Sequence, residues 1–82
     1  MMPLSLADTG QENIVRKVGG NPEIKKHLEN LGFVAGADVS IVNRLGGNVI
    51  VSVKGSRVAI SREMAMKIMI CIIWRYENEN TE

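Results

Sequence analysis

The stretch over residues 27–39, which reads HLENLGFVAGADV, constrains the fold of this chain most, because a helix has to end there and a strand has to begin. Upstream of it, Asn21 can cap a helix whose first position is Pro22. Three apolar side chains then recur at helical spacing and form one stripe: Ile24, Leu28 and Leu31. We therefore expect an amphipathic helix over residues 22–31.

Two residues directly after this helix define how it ends. Gly32 accepts a positive φ without a Cβ clash, so it is the expected left-handed stop. Phe33, the only phenylalanine of the chain, follows it. An aromatic side chain at that position usually folds back onto the apolar side of the helix. We therefore expect Phe33 in the core rather than in contact with a ligand.

Most of the remaining chain has the period-two pattern of β-strands. The clearest alternation runs over residues 49–54, where valine occupies every second position. Gly46 and Gly47 predict a hairpin turn before it, and Gly55 with Ser56 predicts a two-residue loop of type II′ after it. Further strands are expected at residues 11–18, 39–42, 57–60 and 68–74, and a short extended segment at residues 4–6. The last strand is apolar throughout, which predicts burial on both faces.

Finer expectations concern the faces of two elements. In the first strand, Ile14 and Val18 are expected on one face and Val15 on the other. Ser61 is expected to cap a helix of about two turns over residues 62–67, with Ala65 toward the core.

These elements describe a mostly β chain, a small barrel of about five strands with two short helices. A chain of 82 residues forms one domain. We place this domain at residues 1–76, followed by a polar acidic tail at residues 77–82. The tail has the composition of a disordered segment.

Composition narrows the class of function. Ten basic and nine acidic residues leave a formal net charge of +1, which argues against a binder that needs many phosphate contacts. A single cysteine excludes an internal disulfide and a zinc cluster of several cysteines. The longest apolar run is too short to cross a bilayer, and the first residues lack the pattern of a signal peptide. We therefore expect a soluble cytoplasmic protein without direct membrane insertion.

Three short motifs follow one another along the chain. PLSL with GQ occurs within residues 3–11, HL with LGF within residues 27–33, and VKGSRVAI at residues 53–60. In this order they resemble the ferrous iron transport protein A (FeoA) family, over nearly the whole chain up to about Ile72. Thr9 departs from the family pattern, in which a proline is common at that position.

The resemblance implies an SH3-like barrel without catalytic residues. It also implies a small accessory protein of bacterial ferrous iron uptake. Such a protein acts by contact on the cytoplasmic region of an FeoB-type membrane transporter with a GTP-binding domain. A related domain occurs at the carboxyl end of some metal-dependent transcription repressors. This chain has no helix-turn-helix portion, so the free-standing transport role fits better. The last strand, extended through Tyr76, could pair with a second copy in a weak homo-oligomer.

The residues offer no recognisable arrangement for catalysis, so we expect no enzyme, no cofactor and no metal site. His27 is a lone histidine beside lysines on the helix. Cys71 lies within an apolar strand, where a thiol is usually inert. The Gly-Gly pairs lack the Lys and Ser/Thr of a phosphate-binding loop. Asp8, Glu12 or Glu29 could bind a metal weakly with His27, but no spacing recommends it.

A partner-binding surface is the main functional candidate. Arg44, Leu45, Lys54 and Arg57 lie at or near strand ends and hairpin turns, where a small barrel exposes its recognition loops. A solvated rim explains all four positions at least equally well. Leu45 is the most suggestive of the four, because an exposed apolar side chain on a loop can anchor a partner.

Two other classes of function remain as alternatives. A small nucleic-acid-binding barrel could use Lys54, Arg57 and Arg62, but the near-neutral charge and the single Phe, Tyr and Trp argue against it. A regulatory domain that binds a transition-metal ion is the other, and the poor set of ligands argues against it. We therefore expect no nucleic-acid partner.

Overall fold

The computed structural model describes residues 1–73, which form a six-stranded antiparallel sheet with two short α-helices. The elements in chain order are β1 (Met2–Pro3), a 3₁₀ turn (Leu4–Leu6), β2 (Asn13–Val18), α1 (Pro22–Asn30), β3 (Asp38–Leu45), β4 (Asn48–Val53), β5 (Ser56–Ser61), α2 (Arg62–Ala65) and β6 (Ile68–Ile72). The spatial order of the strands is β1-β6-β2-β3-β4-β5. The predicted mostly β fold is confirmed. The predicted tail at residues 77–82 and the strand extension through Tyr76 lie outside the described residues.

Helix α1 begins and ends as its sequence predicts. The side-chain oxygen of Asn21 accepts a hydrogen bond from a backbone N–H of the first turn at 2.8 Å. At the other end, Gly32 has φ +112° and donates its N–H to the carbonyl of Glu29 at 3.0 Å. The N–H of Phe33 donates to the carbonyl of Leu28, also at 3.0 Å. These two bonds form a Schellman motif, which reverses the chain.

One buried cluster joins the inner side of the sheet with side chains from both helices and the 3₁₀ turn. Phe33 and Leu28 are both fully buried in it, which confirms the prediction that Phe33 lies in the core. The other fully buried apolar side chains come from almost every element: Leu4, Val15, Ile41, Val51, Ala65, Ile68 and Ile70. A single contiguous core of this kind is what a domain of this size can support.

The faces of β2 differ from the prediction. Val15 and Val18 are both buried, whereas Ile14 is only half-buried. The reason is a register shift against β6 between Val15 and Lys17. One extra residue in a strand reverses the faces of all residues beyond it, so two valines three positions apart both reach the core.

The loop of the β4–β5 hairpin also differs from the prediction, whereas the β3–β4 turn lies at Gly46 and Gly47 as predicted. The loop consists of Lys54 and Gly55, one residue earlier than expected, and Ser56 pairs with Val53. Both loop residues have positive φ, 53° and 82°, which is the sign pattern of a type I′ turn rather than type II′. In the β3–β4 turn, only Gly46 has a positive φ, 59°, as type II′ requires.

Helix α2 is one turn long rather than two. Ser61 caps it as predicted, accepting a hydrogen bond from the N–H of Met64 at 3.1 Å, and Ala65 is fully buried. The helix cannot continue because Ile68 is already the first residue of β6. It pairs there with Val18 of β2 and is itself fully buried.

Strand β6 lies between β1 and β2, so within residues 1–73 it is not a sheet edge. Its side chains alternate between full burial and partial exposure, and Ile72 is exposed, which contradicts the prediction of burial on both faces. Pairing with a second copy along this whole strand is prevented because β1 occupies its side at Met69 and Ile70. The end of β6 beyond Ile70 is free of β1.

The residues before β2 form a 3₁₀ turn rather than the expected extended segment, and Arg44 holds this turn in place. The guanidinium of Arg44 donates to the carbonyl of Ser5 at 3.0 Å and to that of Ala7 at 2.7 Å. The turn also contacts α2 and β6, and α2 contacts β4 and β5. The 3₁₀ turn and α2 thereby connect the two ends of the sheet.

The Schellman motif predicts the effect of a side chain at Gly32. Gly32→Ala should lower the free energy of unfolding by about 1 kcal/mol, because an L side chain is strained at positive φ. The added Cβ would meet its nearest neighbour, a Val53 methyl, at an ordinary 3.5 Å, so φ is the main cost. Gly47→Ala is the control, since Gly47 has open space around it and no positive φ. Equal urea denaturation midpoints for the two variants would contradict the assignment.

The Arg44 contacts predict a second difference in stability. Arg44→Met should destabilise the domain by about 1–2 kcal/mol, since it removes two hydrogen bonds from a charged donor to backbone carbonyls. Arg57→Met, at an exposed position of β5, should change the free energy of unfolding by less than about 0.5 kcal/mol. Thermal unfolding followed by circular dichroism measures both. A destabilisation by Arg57→Met as large as that by Arg44→Met would refute the role given to Arg44.

Candidate partner-binding face

The sheet formed by β3, β4 and β5 has one side against the core and one side toward solvent. Residues that pair directly across antiparallel strands share a side of the sheet. The core side carries six buried residues: Val39, Ile41, Val49, Val51, Val53 and Ile60. The opposite side, which we call the outer face, carries Ser40, Asn43, Leu45, Asn48, Ile50, Ser52, Arg57 and Ala59. All of these are exposed or half-buried.

An irregularity in β3 decides which side chains reach the outer face. Val42 is an extra residue after Ile41, and the register against β4 shifts by one at this point. Beyond the shift, Leu45 lies on the outer face and Arg44 on the core side. Strict alternation from Ile41 would reverse these two positions. The bulge therefore directs Arg44 toward the 3₁₀ turn and Leu45 toward solvent.

Leu45 is an exposed apolar side chain on a fixed turn. Its side chain is 58% exposed, at the last position of β3. The turn that follows is held from the other side, because the N–H of Arg62 donates to the carbonyl of Gly47 at 3.0 Å. The prediction that Leu45 is exposed at a glycine-rich turn thus matches the structure.

Lys54 and Arg57 lie at the opposite end of the outer face. Arg57 pairs with Ser52, and the N–H of Lys54 donates to the carbonyl of Asp38 at 3.4 Å. Asn48, the partner of Leu45, and Ser52, the partner of Arg57, are four residues apart on β4, which is roughly 13 Å. Lys54 lies two residues beyond Ser52 along the chain. The structure therefore places Leu45 and Arg57 on the outer face, Lys54 in the loop at its edge, and Arg44 on the other side of the sheet.

Two apolar residues between these ends were not predicted as site residues. Ile50 is half-buried, Ala59 is exposed, and the two pair directly in the middle of the outer face. The alternation over residues 49–54 does place Ile50 opposite the buried valines. Its pairing with Ala59, however, depends on the register of the β4–β5 hairpin. The predicted loop lay one residue too late, so it gave the wrong register.

A groove of about 450 Å³ opens at the Lys54 end of the outer face. It is lined by Glu12, Asn13, Asp38, Val39, Ser40, Ser52, Lys54, Gly55 and Ile73. Asn13 is fully buried there, and its side-chain nitrogen donates to the carbonyls of Gln11 at 3.0 Å and Val39 at 3.3 Å. This amide joins β2 to β3 and fixes the wall of the groove.

The residues considered for metal binding are not gathered in one place. Within residues 1–73, no group of three or more His, Cys, Asp or Glu side chains could hold a metal ion. His27 is exposed on α1, and Cys71 is a half-buried free thiol in β6. In the same part of the chain, no helix is long and apolar enough to span a membrane.

Known proteins are similar to this chain in both sequence and fold. Residues 2–71 match the FeoA domain. A candidate Fe(2+) transport protein A of Methanocaldococcus jannaschii is 39% identical over 70 residues, which cover 85% of each chain.

Two solved structures are similar over most of the chain. The FeoA protein of Chlorobium tepidum is 28% identical with a TM-score of 0.81, over 89% of this chain and 71% of that one. The FeoA of Stenotrophomonas maltophilia, complexed with zinc and described as a prokaryotic SH3 domain protein, is 27% identical with a TM-score of 0.76, over 87% and 91%. This chain, a small SH3-like barrel, therefore belongs to the FeoA family.

Proposed function

We propose that this chain is a cytoplasmic accessory protein of ferrous iron uptake, which acts by contact on the GTP-binding cytoplasmic region of an FeoB-type transporter. Membership of the FeoA family supports a role in ferrous iron transport. The Methanocaldococcus jannaschii relative is named for Fe(2+) transport, and the Stenotrophomonas maltophilia structure is described in terms of a ferrous iron transport activating factor. The proposal assigns no catalytic residue to this chain.

The outer face is the observation that carries this proposal. An exposed Leu45 and the apolar pair of Ile50 and Ala59 lie along its length, and two cations, Lys54 and Arg57, lie at one end. An apolar centre with charged residues at its margin is typical of protein–protein interfaces. We infer that this face contacts the transporter.

The same face gives little support to a nucleic-acid partner. Lys54 and Arg57 are accompanied by Asp38 at the same end of the sheet. Two cations beside a carboxylate do not form the basic stripe that follows a phosphate backbone.

Leu45 supplies the most direct test of the proposed contact. Full burial of a leucine side chain contributes about 1.5–3 kcal/mol, and a carboxylate in its place would have to be desolvated. Leu45→Asp should therefore weaken binding to the isolated GTP-binding domain by about tenfold or more. Isothermal titration calorimetry, with and without GTP, measures the affinity.

The control is Ala35→Asp, which adds the same charge at an exposed position in the loop after α1. This variant should bind as the unmodified chain does. Both variants should unfold at nearly the same temperature as the unmodified chain, because neither position is buried. Equal affinities for Leu45→Asp and Ala35→Asp would contradict a contact between Leu45 and the GTP-binding domain.

A further inference from the structure

A recess of about 300 Å³ lies where β3 turns into β4. Two arginines line it, Arg44 near the end of β3 and Arg62 at the start of α2, and we call it the arginine recess. The other lining residues are Ser5, Gly46, Asn48 and Val49. Of the whole set, only Asn48 also belongs to the outer face. Arg44 and Val49 pair with each other on the core side of the sheet.

Backbone contacts hold both arginines at this place. The Nη2 atom of Arg44 donates to the carbonyl of Ser5 at 3.0 Å and to that of Ala7 at 2.7 Å. The backbone N–H of Arg62 donates to the carbonyl of Gly47 at 3.0 Å, so α2 begins directly against the β3–β4 turn. The two guanidinium groups therefore come from different elements that the same turn holds together.

The two guanidinium groups keep most of their hydrogen-bond donors for a ligand. Each guanidinium has five N–H donors in a planar fork. Among residues 1–73, the side-chain hydrogen bonds of Arg44 are the two made by Nη2, which leaves the donors of Nη1 and Nε. Within the same residues, the Arg62 side chain makes no hydrogen bond and no ion pair. Both groups can therefore donate into the recess.

The charge of the arginine recess is uniformly positive. Its lining contains no aspartate or glutamate, and Glu63, the neighbour of Arg62 in α2, is not part of it. Two positive charges at one place repel each other, and an anion between them removes this repulsion. A phosphate group carries a charge of about −2 near neutral pH and offers several acceptor oxygens. The guanidinium fork binds such oxygens in bidentate geometry.

We propose that the arginine recess binds a phosphate group, which Arg44 holds through Nη1 and Nε and Arg62 through its fork. The bound group links the end of β3 to α2, and the 3₁₀ turn is already tied to Arg44. Binding to the folded chain alone also raises the unfolding temperature. This inference does not rest on the proposed function, since neither arginine belongs to the outer face.

A titration of ¹⁵N-labelled protein with sodium phosphate tests the site, with sodium chloride keeping the ionic strength constant. Amide shifts should saturate and should centre on Gly46, Asn48 and Arg62. Arg62→Gln should weaken the affinity for phosphate by about tenfold, the usual effect of losing a hydrogen-bonded charge. The matched control is Arg57→Gln, at an exposed position of the outer face, which should bind phosphate as the unmodified chain does.

A second experiment distinguishes two sources of the phosphate group, a lipid headgroup and a soluble compound. The protein is sedimented with phosphatidylcholine vesicles that contain phosphatidic acid. Cosedimentation that Arg62→Gln abolishes and Arg57→Gln does not would assign the recess to a lipid headgroup. A chain that binds inorganic phosphate but does not sediment with the vesicles would have a site for a soluble phosphate compound. Both results support the site.

Three results would overturn the inference. The first is a titration in which phosphate gives no saturable shifts beyond those that chloride gives. The second is a set of saturable shifts centred elsewhere, for example on the lysines of α1. The third is an equal affinity of Arg62→Gln and Arg57→Gln for phosphate, which would show a response to total charge. No transporter domain is present in these measurements, so their outcome is independent of the proposed function.

Discussion

The pairing of β3 with β4 is the constraint on which the rest of the structure depends. β4 must bury Val49, Val51 and Val53, and this requirement fixes which side of β4 faces the core. β3 can match it over its full length only with one extra residue, Val42. Because of that residue, the end of β3 directs one side chain to the 3₁₀ turn and the next to solvent. The closure of the sheet and the composition of the outer face thus have the same origin.

A domain of this size is stabilised by few contacts, so the loss of a single contact has a large effect on its stability. Chains this short bury only about 60% of the surface that they expose when unfolded. The stop after α1 is one such feature, since it places Phe33 beside Leu28 with both side chains fully buried. Arg44 is another, because it ties the first residues to the end of β3. Neither contact is repeated elsewhere in the described residues.

Much of the fold could be predicted from local patterns, because capping, glycine stops and alternation act over a few neighbouring residues. Asn21, Gly32 and the valines of β4 illustrate this. The bulge at Val42 could not be predicted, since no side chain marks it and only the partner strand reveals the shift. The positive φ at Lys54 was missed for a similar reason, because tertiary pairing overrides a local preference for glycine. These two misses explain why the outer face was predicted only in part.

We propose that the outer face contacts the GTP-binding cytoplasmic domain of the transporter. The most direct test is a titration of ¹⁵N-labelled protein with that domain, with and without GTP, followed by amide chemical shifts. We expect shifts at Leu45, Ile50 and Arg57, with little change along α1. Shifts confined to α1, or an unchanged spectrum in both nucleotide conditions, would contradict it.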